Sequence, residues 1–423
     1  MKTLTKILKK NKKYFTFFLV ASFFSFFLLI SCNNNDSKKK ENAVTNSNKD
    51  THVLKSAYIP ILDCVPIIVA YEKGFYKEEG IKAEKPVLIR SWPAIMEAFT
   101  SRQIDLTHIL LPQVVFLKYE QNIDLKSVGF NHNDVVAMLI SKNLNSVCDL
   151  GGKMVGCPTW WAPHTGIFED VIRKAGLVPV VGKTKDQLAP NEVGFIVVPP
   201  PDMVEGLKSG KIAGCTVSEP FGAAAELLAN AKMVKMSGDV WNNHPCCQSV
   251  MMTDFINEDR DRAQRITNAI YKATLWAHNH REELAQMLGK DGGGYFPMPV
   301  KVIRKALFDQ DLAKYGPNGT GAIMHTEWDV KRVKFYPYPY PSAFEMNMNM
   351  MKTMVVSKSA KLSQKLINLS PKEIAYDLVD YKLADSAYQY IGGDKAFGID
   401  SIGKERKEIY DVLLNKANTC PKK

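Results

Sequence analysis

From residue 53 onward the apolar residues alternate between short strand-like runs and helical runs, in two successive series. In the first series, residues 53–60, 81–88, 105–110 and 125–130 read as strands. Helical runs fill the gaps at 66–74, from Ser91, and at 112–119. Gly74 is a helix stop. Ser91 is an N-cap, with Pro93 in the first turn. Short loops joining alternating strands and helices specify a parallel sheet with helices on its faces. Residues 135–141 form a further strand and 145–152 a linker. The second series starts at Lys153, with strands at 153–156, 193–198, 212–217 and 233–236. Its helices begin near Ile167, Pro199 and Ala223. Residues 248–253 then return the chain to the first lobe. The expected fold class is α/β, with two lobes, each a sheet flanked by helices. Lobe 1 comprises 52–143 and 248–423, and lobe 2, inserted, comprises 144–247. Ligands of such sheets sit beyond the carboxyl ends of the strands, which places a cleft at the hinge.

Later segments are less regular. Residues 260–288 form a long helical pattern, broken by glycines at 292–294. The run Tyr336-Pro337-Tyr338-Pro339-Tyr340-Pro341 is extended. Ser342 caps a helix whose methionines (Met346, Met350, Met351, Met354) read as core. Patterning beyond Leu369 is weak.

Ahead of the lobes stands a leader. Six lysines precede an apolar run at 15–30 that ends Leu29-Ile30-Ser31-Cys32. Such a run is a secretory signal, too short for a membrane span. Its ending resembles a bacterial lipobox. Residues 1–31 are the expected signal peptide, Cys32 the expected lipid attachment site, and 32–51 a disordered polar tether. The expected location is a lipid anchor on a bacterial membrane, facing the periplasm or the exterior. The formal charge of +11 falls to +5 without the six leader lysines, which argues against nucleic acid as a partner. Besides Cys32 there are seven cysteines: Cys64, Cys148, Cys157, Cys215, Cys246, Cys247 and Cys420. No Cys-x-x-Cys or regular His/Cys spacing occurs, so neither a metal site nor a cofactor is expected. Secretion permits disulfides, and one bridge with the remaining thiols buried is the default.

Candidate ligand contacts cluster where strands end. Cys157–Gly166 runs from a strand into a helix N-terminus, a place that suits an anionic group. It carries Trp160, Trp161, His164 and Thr165, with one tryptophan facing the cleft and the other the core. Asp63 follows the first strand, Trp92 opens a helix, and His132 and Asn133 occupy a polar loop after a strand. Glu219 and Pro220 follow a strand of lobe 2.

Several of these segments resemble a known family. They are residues 57–66 (AYIPILDCVP), 72–81 (EKGFYKEEGI), Ser91-Trp92, 206–212 (GLKSGKI), 217–220 (VSEP) and 244–247 (HPCC). Together they are similar to the substrate-binding lipoproteins of ABC importers of the nitrate/sulfonate/taurine type. The resemblance covers roughly 53–280 and implies a two-lobed periplasmic binding protein fold of type II, with ligand enclosed at the hinge. It implies capture of a small anionic or heterocyclic solute and delivery to a permease with its ATPase, without catalysis. The loop at 157–166 departs from the family's small Ser/Gly/Thr loop, which bears on the ligand's identity. An enzyme on the same fold is the alternative: desulfinases resemble this family, and Cys64 with His132 or His164 would mimic their nucleophile and base.

Overall fold

The computed structural model describes residues 52–399 and 406–421. The signal peptide, Cys32 and the tether lie outside the described residues. No helix among the described residues is long and apolar enough to cross a membrane.

Two principal sheets form. The first is antiparallel, ordered Leu106–Leu110, Cys247–Met252, Leu125–Phe130. Ser56 bridges to Leu106 in parallel, and Ala57–Tyr58 pairs in parallel with Val87–Leu88, which extends this lobe toward the N-terminus. The second sheet has six strands, ordered Val178–Val181, Glu192–Val197, Lys153–Cys157, Gly214–Ser218, Val136–Ile140, Lys232–Met236. Its first four strands are parallel, and the last two join antiparallel. Each sheet carries helices whose apolar residues are buried, and these residues form one continuous core.

Three expectations shift. Val136–Ile140, inside the span assigned to lobe 1, is a strand of the second sheet, so the first crossing falls at 131–135 rather than at 143. An apolar strand reads the same from either sheet, because each buries both of its faces. The edge strand Val178–Val181 was not anticipated: Pro179 interrupts the pattern, and an edge is where a strand tolerates proline. The pattern at 260–288 is two helices, Arg260–Asn279 and Arg281–Leu288, separated at His280.

The C-terminal third does not belong to lobe 1 alone. Val300–Phe308 packs on Phe221–Ala229 of the second sheet, while Tyr381–Tyr390 packs on Arg260–Asn279 of the first. Pro341–Met351 touches helices of both lobes, Leu111–Tyr119 and Pro163–Lys174. A disulfide joins Cys148, just before the strand Lys153–Cys157, to Cys420 across 272 residues.

Candidate functional site

The two crossings lie side by side. Residues 131–135 leave the first sheet and residues 237–246 return to it. Asn131 donates its amide N–H to Cys247 O at 3.0 Å, and Asp134 donates to His244 O at 2.8 Å. Asn133 and Pro245 form an antiparallel bridge between them. Asp134 and Val135 hold φ of 70° and 55°, and Asn243 one of 56°. For a β-branched residue such as Val135 this region is an outlier. Both passes therefore keep a bent backbone that their surroundings must hold in place.

Five reactive side chains gather on these passes. Asp63 arrives from the turn Leu62–Cys64, His132 from the first pass, and Cys246 and Cys247 from the end of the second. His164 arrives from the first turn of Pro163–Lys174, a helix that no side chain caps. His132 Nε2 lies 2.7 Å from Asp63 Oδ1, and neither side chain is exposed to solvent. The contact is close but not aligned as a hydrogen bond, so both carboxylate oxygens and both ring nitrogens lack an aligned partner. Asn131 Nδ2 donates to the Asp63 backbone carbonyl at 2.7 Å, and Ser249 Oγ to Asn131 Oδ1 at 2.8 Å. His164 Nδ1 lies 3.7 Å from Cys246 Sγ.

The electrostatics follow from this packing. Burial favours the neutral Asp63, but the charge and contact of His132, then His108, carry its carboxyl well below the ordinary range. Burial likewise disfavours the His132 imidazolium, yet Asp63 raises it to about 10. The two form a buried ion pair. Burial pushes the His244 imidazole down to about 3, and it stays neutral, with Nδ1 3.1 Å from Ser237 Oγ.

His108 is the functional candidate that the sequence reading passed over. Its ring Nε2 accepts the Ile59 N–H at 3.0 Å, so a neutral ring carries its proton on Nδ1, and that nitrogen has no partner. Burial holds this ring down to about 4. The one available signal was a histidine inside the buried strand at 106–110. Trp92 lies edge-on to His108, with ring centroids 5.7 Å apart, and its indole N–H is also unpartnered. Ser91 caps the Trp92–Thr100 helix, as its spacing suggests.

The remaining candidates divide. Trp161 is buried, stacks on Phe116 of the first lobe with centroids 5.9 Å apart, and leaves its N–H unpartnered. Trp160 is half-buried. Thr165 Oγ1 donates to Thr159 O at 3.0 Å, and Thr159 Oγ1 meets Gln113 Oε1 of the first lobe at 3.3 Å. Asn133 Nδ2 donates to Asn243 O at 3.0 Å. Glu219 and Pro220, joined by a cis peptide bond, sit beside the cluster through backbone contacts. Leu62 N–H donates to Glu219 O at 2.7 Å. The Glu219 carboxylate instead accepts from Arg332 and from Ala223 N–H. Cys64 is fully buried, burial and Asp63 raise its thiol well above the usual range, and no histidine hydrogen-bonds to it among the described residues.

Buried polar groups in native folds are almost always paired. Here Asp63, Trp92, His108, His132, His164 Nε2 and His244 Nε2 all hold unpartnered buried atoms at or beside the crossings. Such a set of donors and acceptors, held where the two sheets exchange chain, can take up a small polar ligand and exchange its hydration for protein contacts.

The nitrate/nitrite binding protein NrtA of Nostoc sp. is 26% identical over 264 residues, covering 56% of this chain and 57% of that protein. The chain spans between 37% and 57% of the length of the first curated relatives it matches. Among solved structures, the periplasmic nitrate-binding protein NrtA from Synechocystis superposes with a TM-score of 0.64 at 20% identity, over 83% of this chain and 92% of that one. The ligand-binding component of an ABC-type import system from Staphylococcus aureus, with zinc bound, gives a TM-score of 0.60 at 19% identity, over 80% and 99%. The fold is that of the periplasmic binding proteins. The NMT1-like family matches residues 47–289, more than half of the chain, and the protein belongs to that family.

Proposed function

We propose that this protein is the extracytoplasmic solute-binding component of an ABC importer, held at a membrane by lipid on Cys32. It captures a small anionic or heterocyclic solute between its lobes and delivers it to a permease and ATPase. The observation that carries this reading is the group of unpartnered buried donors where two sheets exchange chain. Trp92 Nε1, His108 Nδ1 and His164 Nε2 are the groups that meet the solute. Trp161 and Thr165 line the second-lobe side, and Glu219 and Pro220 serve as framework. The set suits a ligand rich in acceptors, since the neutral N–H donors of Trp92 and His108 stabilise an oxyanion without a counter-charge. Relatives named for nitrate and aliphatic sulfonates support that class. The Cys148–Cys420 bridge fits an oxidising compartment.

The test is a thermal-shift panel on the full chain with nitrate, bicarbonate, alkanesulfonates and pyrimidine heterocycles, followed by small-angle scattering. A true solute at a hundred times its Kd stabilises the folded state by about 2.7 kcal/mol and compacts the particle. No shift across the panel, together with no co-purified small molecule by native mass spectrometry, counts against the reading.

A further inference from the structure

Sequence spacing gave no reason to expect a metal, because the donors lie far apart along the chain. The fold brings them together. One ligating atom each from Asp63, His132, Cys246 and Cys247 falls within a set whose members all lie within 4.8 Å of one another. All four side chains are fully buried. A tetrahedral zinc ion with bonds of 2.0–2.3 Å would hold its ligand atoms about 3.3–3.8 Å apart, so small side-chain rotations complete the geometry. We propose that these four residues bind a zinc ion at the base of the cleft, where the two crossings meet the first lobe.

Three observations carry the assignment. The first is the donor set: two sulfurs, an imidazole and a carboxylate match a borderline-soft d10 cation and disfavour calcium or magnesium, which take oxygen ligands. The second is the absence of aligned partners for the carboxylate oxygens of Asp63 and the ring nitrogens of His132, despite an Nε2–Oδ1 approach of 2.7 Å. The third is the support around the ligands. Asn131, itself fixed by Ser249, anchors the Asp63 backbone, and His164 Nδ1 stands 3.7 Å from Cys246 Sγ, placed to donate to a thiolate. Outer partners of this kind orient metal ligands.

Two thiolates and one carboxylate against a divalent ion leave one net negative charge, which the His164 N–H faces. The thiol protons leave to solvent as the metal enters, and so does the proton that makes His132 an imidazolium in the metal-free pair with Asp63. The ion joins the turn after the first strand to both crossings and so braces the part of the chain about which lobes would move. It is held by protein groups alone, so the inference goes beyond the importer reading and does not depend on it.

The experiment is zinc titration of the full chain after chelator treatment, with metal content by mass spectrometry and cobalt substitution read by absorption. One equivalent of zinc is expected, with thiolate-to-cobalt charge transfer and tetrahedral d–d bands. Cys246→Ser and Cys247→Ser should each weaken zinc by more than the roughly 10- to 100-fold that loss of an outer partner costs, whereas Cys64→Ser should leave it unchanged. Far-UV circular dichroism checks that each variant folds, and His132→Gln gives a second probe without touching sulfur. Zinc binding that survives both serine variants, no binding above micromolar affinity, or a Cys246–Cys247 pair found oxidised in the native protein would each overturn the proposal. A metal-free protein that still answers the solute panel would keep the importer reading while this one fails. A zinc-loaded protein indifferent to every solute would do the reverse.

Discussion

Arg332 reaches from the C-terminal third of the chain to the carboxylate of Glu219 in the second lobe, with both side chains almost wholly buried. The same guanidinium meets Glu226 and lies 2.8 Å from Tyr315 Oη. A buried guanidinium loses its hydration, and only partners on every side offset that cost. Here they are present, so Glu219 is committed to the framework. Removing one partner leaves an unpaired buried charge, which typically costs about 3–5 kcal/mol. Arg332→Met, which takes the guanidinium away from Glu219, should lower the urea midpoint accordingly, and Glu219→Gln, which leaves Arg332 its Glu226 partner, should lower it less. Solute affinity, measured on the fraction that stays folded, should change less than it does for pocket variants. A Glu219→Gln protein of normal stability that no longer binds solute would move this residue into the pocket.

The Cys148–Cys420 bridge closes a loop spanning a sequence separation of 272 residues. Long closed loops restrict the unfolded chain most, and native bridges typically contribute about 2–5 kcal/mol. Cys420→Ser should lower stability by an amount in that range and release the C-terminal segment to proteolysis first. That segment is otherwise held by pairings such as Trp241 with Tyr410 and by the Val147 N–H donated to Asn418 Oδ1. Unchanged melting in the serine variant would show that these contacts alone suffice.

These two relationships mark where sequence reading stops. Alternating apolar runs and caps such as Ser91 are local, so the α/β class and the order of most elements could be read from neighbours along the chain. Pairing Arg332 with Glu219, or Cys148 with Cys420, requires knowing how the last hundred residues wrap over both lobes, and no local period encodes that. The crossing at 131–135 shifted for a related reason, since Val136–Ile140 is buried on all sides and its sheet cannot be told from its pattern. In the site, His132, His164 and Asp63 stood out by their place after strands. His108 hid within a strand, and the closeness of Cys246 and Cys247 to Asp63 appears only in three dimensions.

Glu169 supplies a pH signature away from the cleft. Burial raises its carboxyl from 4.5 to about 7, outweighing Val355 N–H and Arg173, which pull it down. A group whose folded value lies above its unfolded value contributes its stability below the unfolded value. That contribution is lost as pH rises through the folded one. Glu169 should therefore make the protein more stable at pH 4.5 than at pH 8, by an amount on the order of 3 kcal/mol at most. Glu169→Gln, whose carbonyl can still accept from Val355, should flatten this slope in urea unfolding series at the two pH values. An equally steep slope in the variant would assign it to another group.

The last prediction concerns the donors that meet the solute. His108 accepts Ile59 N–H through Nε2, so protonating it breaks that bond, and its low value of about 4 keeps the ring neutral through the physiological range. Solute affinity should then be independent of His108 from pH 8 down to about 5, and should fall below that as the ring charges. Stability linked to the same ring is present above 6.5 and lost as pH falls through about 4. Trp92 offers a cleaner test of donation. Trp92→Phe keeps an aromatic face toward His108 and removes the indole N–H, which has no partner to lose within the protein, together with part of the buried ring. The variant should lose some stability to the smaller ring and, measured on the folded fraction, bind solute about three- to tenfold more weakly, the worth of one hydrogen bond. His164→Ala should cost at least as much, since it removes a polar contact from the opposite lobe. Calorimetric titration with whichever solute shifts the melting temperature reads all three effects. Undiminished affinity in both Trp92→Phe and His164→Ala would place the solute away from the crossings.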